Sequence, residues 1–265
     1  MLTYRQEQII EYLRSRKHAR VDEIARHIFV SDTTVRRELN ELKRLGLIGR
    51  DHGGAVLMEN ADDISISVRQ ILRLENKIQI AHMAQRGLPD FKTVFLDNSS
   101  TALTLAQRMN FKNKTVVTNG ITAAMQLSQK SDVNVYLLGG KLNYNIGTLN
   151  GSATVQEIEQ MEFNLMLCSC TSFNSRGSYE SSADQRDVKR AALANSRYKI
   201  LLVDDTKLND NALYRTANLS EYDAIYTDAS DEALAGLRQL PGIKIINLNL
   251  TCKRMGVHRN MSFNS

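Results

Sequence analysis

Residues 21–56, VDEIARHIFVSDTTVRRELNELKRLGLIGRDHGGAV, leave few choices of fold. Val21, Ile24, Ala25 and Ile28 recur at helical spacing and predict a short helix with one apolar face. Phe29 and Val30 are expected to fill a tight corner, after which Ser31 and Asp32 are good N-caps for a second helix. Val35, Leu39 and Leu42 give that helix its inner face, and Thr33, Thr34, Arg36, Arg37 and Asn40 its outer one. Short hydroxyls near a helix N-terminus, followed by two cations and an amide, suit a helix that enters the DNA major groove. Gly46 ends the helix, as a glycine past the last turn commonly does. Residues 47–56 then read as two short strands around a turn at Gly53-Gly54, a wing that brings Arg50 and His52 near backbone phosphates. An amphipathic hairpin with solvated arginines would share the helices. It would not need corner, caps, basic face and Gly-Gly wing in this order.

The run VSDTTVRRELNELKRLGLIGRDHGGAVL resembles the N-terminal winged helix of the DeoR family of bacterial transcription regulators. The combination of TTVRRELNELKRLG with HGGAV carries the likeness, which extends through most of the chain. It implies a sugar-responsive repressor. Ser31, Thr33, Thr34, Arg36, Arg37, Asn40, Arg50, His52 and Gly53 are the residues expected to meet operator DNA.

Bulk properties agree with a small head and a larger body in 265 residues. The net charge of +5 favours a polyanionic partner, and residues 1–57 hold 11 Lys/Arg against 8 Asp/Glu. No apolar run approaches the ~20 residues that span a bilayer, and the start MLTYRQEQII lacks the pattern of a secretory signal. Cys168, Cys170 and Cys252 form an odd, sparse set that suits a reducing cytoplasm. No companion Cys or His pair stands at zinc spacing, so buried inert thiols are expected, with no metal or cofactor.

A first helix is expected over 4–15, a basic connector over 17–20, a linker over 58–75 and the body over 76–250. Residues 68–86 have helical periodicity and are expected to bridge head and body or to help subunits pair. Short apolar segments at 93–96, 115–117, 133–138, 165–168, 200–203, 224–226 and 243–246 alternate with helical stretches at 102–109, 121–129, 153–159, 184–195 and 231–240. That alternation predicts a Rossmann-like α/β domain, a mostly parallel sheet with helices on both faces. Residues 251–265 are expected to form a loose basic tail.

Ligands of such sheets sit beyond the carboxyl ends of the strands. There this chain places Asp97-Asn98-Ser99-Ser100-Thr101, Thr118-Asn119-Gly120, Gly139-Gly140-Lys141 and Asp204-Asp205-Thr206-Lys207. Hydroxyls opening a helix favour an anion, and glycines let a ligand approach backbone. Each feature alone is more often a cap, a turn or a solvated face; together they suit a phosphorylated polyol. The blocks DNSST, VVTNG, LLGGKL, DVKRA and DDTKLNDNALYR resemble the DeoR effector domain, which is similar in fold to ribose-phosphate isomerases. The resemblance points to Asp97, Ser99, Ser100, Thr101, Thr118, Asn119, Gly139, Gly140, Lys189 and Lys207 as effector-binding. The chain departs from the family at Asn98, commonly a glycine, and at Cys168-Ser169-Cys170-Thr171, where a Gly-Ala-Asp-Gly-like turn is usual. The leading expectation is a homodimeric or larger cytoplasmic repressor, not an enzyme, that binds double-stranded operator DNA and a phosphorylated sugar. The alternatives are an isomerase-like enzyme with a DNA-binding head, or a repressor whose pocket is vestigial.

Overall fold

The computed structural model describes residues 3–16, 18–51, 53–57, 66–210 and 212–248. The chain divides into two compact units, Met1–Arg73 and Leu74–Ser265.

In the first unit, α1 (Tyr4–Arg16), α2 (Val21–His27) and α3 (Asp32–Arg44) enclose an apolar centre of Ile9, Leu13, Ile24, Val35, Leu39 and Leu42. Ser31 caps α3 through its Oγ, which accepts from the Thr34 N–H at 3.3 Å. Gly46 follows the helix at φ +72°, a left-handed conformation that glycine adopts without steric cost. The wing has three strands: β1 (His18–Arg20), β2 (Ile48–Asp51) and β3 (Gly54–Leu57), in the order β1-β3-β2. Residues 18–20, expected as connector, are therefore the third strand of the wing. Ala19 is wholly buried between exposed His18 and Arg20, so the segment has the alternation of a half-buried strand. A Cβ on Gly54 would lie 2.7 Å from the Ala19 carbonyl oxygen, so glycine permits this close approach. Phe29 does not fill the corner. It takes the left-handed conformation (φ +56°) that the turn between α2 and α3 requires, and this swings its ring out to 93% exposure.

The periodic stretch 68–86 is not one helix. It is α4 (Ile66–Ile71) and α5 (Leu74–Gln85), separated at Arg73, whose φ of +52° is incompatible with a continuous right-handed helix. Ile71 and Leu72 pack on the core of the first unit.

The second unit is built on seven parallel strands: β4 (Thr93–Leu96), β5 (Lys114–Thr118), β6 (Val133–Leu137), β9 (Phe163–Cys168), β12 (Ser196–Val203), β14 (Ala224–Thr227) and β15 (Ile245–Ile246). Their order is β15-β14-β12-β9-β4-β5-β6, which reverses direction between β4 and β9. Side chains alternate faces along these strands. Phe95, Val117, Met166, Cys168, Leu201 and Ile225 enter one apolar layer with α8 (Ser152–Glu159) and α9 (Ala183–Ala194). Val94, Leu96, Val116, Leu167, Leu202 and Tyr226 enter the other, with α5, α6 (Ser100–Arg108) and α7 (Ile121–Leu127). Burial on both faces explains why the strands read as continuous apolar runs.

Two small antiparallel sheets follow the carboxyl ends of these strands. A hairpin of β7 (Lys141–Asn143) and β8 (Thr148–Asn150) follows β6, and β10 (Ser172–Asn174), β11 (Gly177–Glu180) and β13 (Tyr214–Ala217) form the other. The helix expected over 231–240 shortens to α10 (Ala235–Arg238), the rest being turn. Among the described residues no helix is long and apolar enough to cross a membrane.

Candidate functional site

On α3, Thr33, Arg36, Arg37 and Asn40 are exposed on one side while Val35, Leu39 and Leu42 are buried on the other. Ser31 and Thr34 share a hydroxyl–hydroxyl hydrogen bond at 3.0 Å at the start of the helix. The guanidinium of Arg37 donates to Glu38 Oε1 at 3.3 Å, while Glu38 Oε2 accepts from Gln6 on α1 at 2.9 Å and keeps that carboxylate in the core. In the wing, Nη1 of half-buried Arg50 is shielded from solvent and has no hydrogen-bond partner among the described residues. Gly53 forms the exposed turn, and His52 lies outside the described residues, as do Cys252 and the basic tail.

In the body, Asp97 leaves the end of β4 at the point where strand order reverses. Its Oδ1 accepts from the Ser99 N–H at 3.0 Å and from the Ser99 hydroxyl. Its Oδ2 accepts from the Ser169 N–H at 3.0 Å and lies 3.2 Å from Lys189 Nζ. Lys189 reaches in from α9, donating to the Ser169 carbonyl at 2.7 Å and to Glu180 Oε1 at 2.6 Å. Thr171 Oγ1 completes the group by donating to Glu180 Oε2 at 3.2 Å. Asp97, Glu180 and Lys189 are all more than nine-tenths buried. Burial works against the charge on Lys189, but Glu180 and Asp97 outweigh it and raise its pKa, so the ammonium is retained. Burial pushes the Glu180 carboxyl up from its ordinary value, against the pull of Lys189.

Beside this cluster, Ser99 caps α6 and accepts from the Ala102 N–H at 3.2 Å. Ser100 and Thr101, in the first turn, are nearly buried, and their hydroxyls make no hydrogen bond among the described residues. A Cβ on Gly120 would come within 3.1 Å of Asn98 Cα, so this glycine lets the ends of β4 and β5 meet. Thr118 Oγ1 accepts from the Gly120 N–H at 3.0 Å. Asn119 Nδ2 has Thr148 Oγ1 at 2.9 Å and Leu149 O at 3.1 Å, tying β8 to the end of β5, while its buried Oδ1 has no partner among the described residues.

Gly139 and Gly140 serve a different contact. The Gly139 N–H donates to Glu157 at 2.8 Å, its carbonyl accepts from Thr154 at 2.6 Å, and a Cβ on Gly140 would collide with Thr154. Lys207 lies in a 3-10 turn, half-buried, and its charge acts on the buried Cys170 thiol. Burial raises the pKa of both Cys168 and Cys170 and keeps them as thiols. Among the described residues no group of His, Cys, Asp or Glu has the makings of a metal site.

Sequence reasoning missed Glu180, Ser169 and Thr171. Glu180 sits on a short strand of the second sheet, with no periodicity to announce it, and Ser169 contributes only backbone groups.

Comparison with known proteins decides the family. A profile of the DeoR-like helix-turn-helix domain matches residues 5–61, and one of the DeoR C terminal sensor domain matches residues 72–229. The chain belongs to the DeoR family. It is 34% identical to the glycerol-3-phosphate regulon repressor of Escherichia coli (strain K12), over 86% of this chain and 91% of that one. It is 31% identical to the lactose phosphotransferase system repressor of Streptococcus mutans, over 86% and 92%. Among solved structures, ribose 5 phosphate isomerase A of Neisseria gonorrhoeae is similar at 13% identity, with a TM-score of 0.37 over 51% of this chain and 53% of that one. That likeness is too loose to speak to chemistry. Transcription regulation through a DNA-binding helix-turn-helix is thus the setting in which both sites of this DeoR-family chain are to be understood.

Proposed function

We propose that this DeoR-family chain is a cytoplasmic, homo-oligomeric repressor of genes for sugar or polyol phosphate use, released from its operator by a phosphorylated effector. In the head, Thr33, Thr34, Arg36, Arg37 and Asn40 face base edges and phosphates, and Ser31, Arg50, His52 and Gly53 lie along the backbone. Arg50 Nη1, unpaired and shielded, would gain most from an incoming phosphate oxygen.

One observation carries the effector reading. Ser100 and Thr101 are buried residues in the first turn of a helix at the topological switch point, and their hydroxyls make no hydrogen bond among the described residues. A helix N-terminus offers backbone N–H groups and a favourable dipole to an anion, and two free hydroxyls complete a phosphate cradle. Lys207, whose charge reaches the buried Cys170 thiol, is the cation we assign to the phosphate. Lys189 takes a different role, because its charge is already matched by Glu180 and Asp97; it holds Asp97 and Ser99 in position. Thr118, Asn119, Gly139 and Gly140 shape the neighbouring strand ends.

Sensing is favoured over isomerisation. An enediol mechanism needs a carboxylate free to take a proton from carbon, whereas both Asp97 oxygens are occupied by fixed donors and Glu180 is bridged to Lys189 and Thr171. An effector changes DNA affinity only by as much as it prefers one arrangement of the protein over another. The Ser100→Ala/Thr101→Ala variant should therefore bind operator normally and lose its response to a panel of sugar and polyol phosphates. Gel-shift with and without effector, paired with calorimetry, tests this. A normal response in that variant would move the phosphate elsewhere. No binding to wild type by any member of the panel would leave the body a scaffold with a vestigial pocket.

A further inference from the structure

The seven-stranded sheet ends at β6, and that edge has none of the features that keep edges apart. Exposed edge strands are usually blunted by lysine, proline, a bulge or a covering segment. The sequence of β6 is VNVYL, without charge or proline. Tyr136 and Leu137 are 44% and 41% exposed. Of the eight large hydrophobic residues exposed among the described residues, five lie between 125 and 144: Met125 on α7, these two on β6, and Leu142 and Tyr144 on the hairpin that follows. An apolar concentration of this kind marks a surface meant to be covered.

The backbone of β6 is able to pair with a second copy of itself. The Leu138 N–H donates to Thr118 O and the Asp132 carbonyl accepts from the Asn113 N–H, so the even-numbered positions turn their backbone groups toward β5 and its neighbour. By alternation the N–H and C=O groups of Val133, Val135 and Leu137 point to the open edge. A second copy of β6, turned about a two-fold axis at Val135, presents the same row in reverse, with Val133 opposite Leu137 of the partner subunit. The charges agree with this pairing. Exposed Asp132 precedes the strand and exposed Lys141 follows it, so antiparallel pairing carries Asp132 toward Lys141 of the partner subunit at both ends.

We propose that β6 is the seam of a two-fold homodimer, joining two seven-stranded sheets edge to edge, with Met125, Leu137, Leu142 and Tyr144 closing over the joint. The choice of a second copy as occupant rests on the reading of the chain as an operator-binding protein, because paired helix-turn-helix heads recognise two half-sites about a two-fold.

The test needs neither DNA nor effector. Sedimentation of the full chain from about 0.1 to 100 µM should show a dimer for wild type, in the range usual for a specific interface. Val135→Pro removes a donor only from the open edge, where proline is tolerated, and Leu137→Lys places a charge in the joint. Each should weaken dimerisation by about 100-fold or more with the melting temperature of the body retained. Lys141→Glu, confined to an exposed side chain, should weaken it by about tenfold and reduce its salt dependence. A monomeric wild type at the highest concentration overturns the proposal, as do folded Leu137→Lys and Lys141→Glu variants that dimerise like wild type. Dimerisation through β6 together with no operator binding in a separate gel-shift would sink the proposed repressor function alone.

Discussion

In the winged helix, Arg36 and Arg37 stand in solvent, whereas in the body Asp97, Glu180 and Lys189 are nearly sealed and bound to one another. On the proposed function, the contrast follows from what each region would meet. A polyanion the size of DNA is met from outside, so its partners can wait in water with little dependence on their neighbours. A small anion, as proposed for the body, would be enclosed, and the charged groups around it must already be paired, because an unpaired buried charge costs several kcal/mol; only neutral hydroxyls such as those of Ser100 and Thr101 can be left for the ligand. Function and stability are therefore separable in the head and fused in the body.

The largest effect should come from Lys189→Met. It leaves Asp97 and Glu180 buried without their cation, and loss of one member of a buried pair costs about 3–5 kcal/mol. Urea unfolding of the full chain would show the body transition moving while that of the head stays in place. The pH dependence has a definite sign. The folded-state pKa of Glu180 is already raised, so its linkage contribution is fully present below the unfolded value and is lost as pH rises through the folded one. In the variant Glu180 loses the pull of Lys189 and is pushed further up, so the deficit should grow from acid toward neutral pH. A deficit that shrinks over that range would mean the cluster is held by something other than this charge balance.

Arg36→Ala and Arg37→Ala should show the opposite separation. Each should cost about 1–3 kcal/mol of operator affinity, with relaxed sequence preference where the arginine reads a base. The effect of Arg36→Ala on stability should stay within about 0.5 kcal/mol, as is usual for exposed side chains, whereas Arg37→Ala also leaves one oxygen of the buried Glu38 without its donor and should cost somewhat more. An Arg36→Ala protein that loses stability and DNA affinity together would break the comparison between head and body.

Legibility in the sequence divides along the same line. The outer face of α3, its cap at Ser31 and the C-terminal glycine at Gly46 were readable because exposure follows helical periodicity. All seven strands of the large sheet were readable too, since burial on both faces leaves unbroken apolar runs such as TVFL and ILLV. The closing groups of the body site were not. Ser169 acts through its backbone, and Glu180 arrives on a four-residue strand whose pairing with β13 joins segments far apart in sequence. The partners of Lys189 were hidden for the same reason: a lysine on a helix gives no sign in the sequence of the buried carboxylates, Asp97 and Glu180, that it meets. The break at Arg73 was also hidden, because the apolar spacing continues across it and nothing but the backbone angle marks the turn.

The smallest effect belongs to Phe29, and it tests whether the head is as free of hidden obligations as the comparison holds. A left-handed conformation costs an ordinary residue about 1–2 kcal/mol, whereas asparagine tolerates it. The ring, 93% exposed, returns almost no burial in compensation. Phe29→Asn should therefore stabilise the head by about 0.5–1 kcal/mol, seen as slower hydrogen exchange of the α3 amides. Operator affinity measured on the same protein separates two accounts of the strain. If stability rises and affinity holds, the phenylalanine is an imperfect turn residue and nothing more. If stability rises and affinity falls, the ring meets the DNA beside the N-terminus of α3, and the strain is maintained by that contact. A loss of stability would show that the ring packs on the head in spite of its exposure, and the separation of function from stability would then fail at this corner.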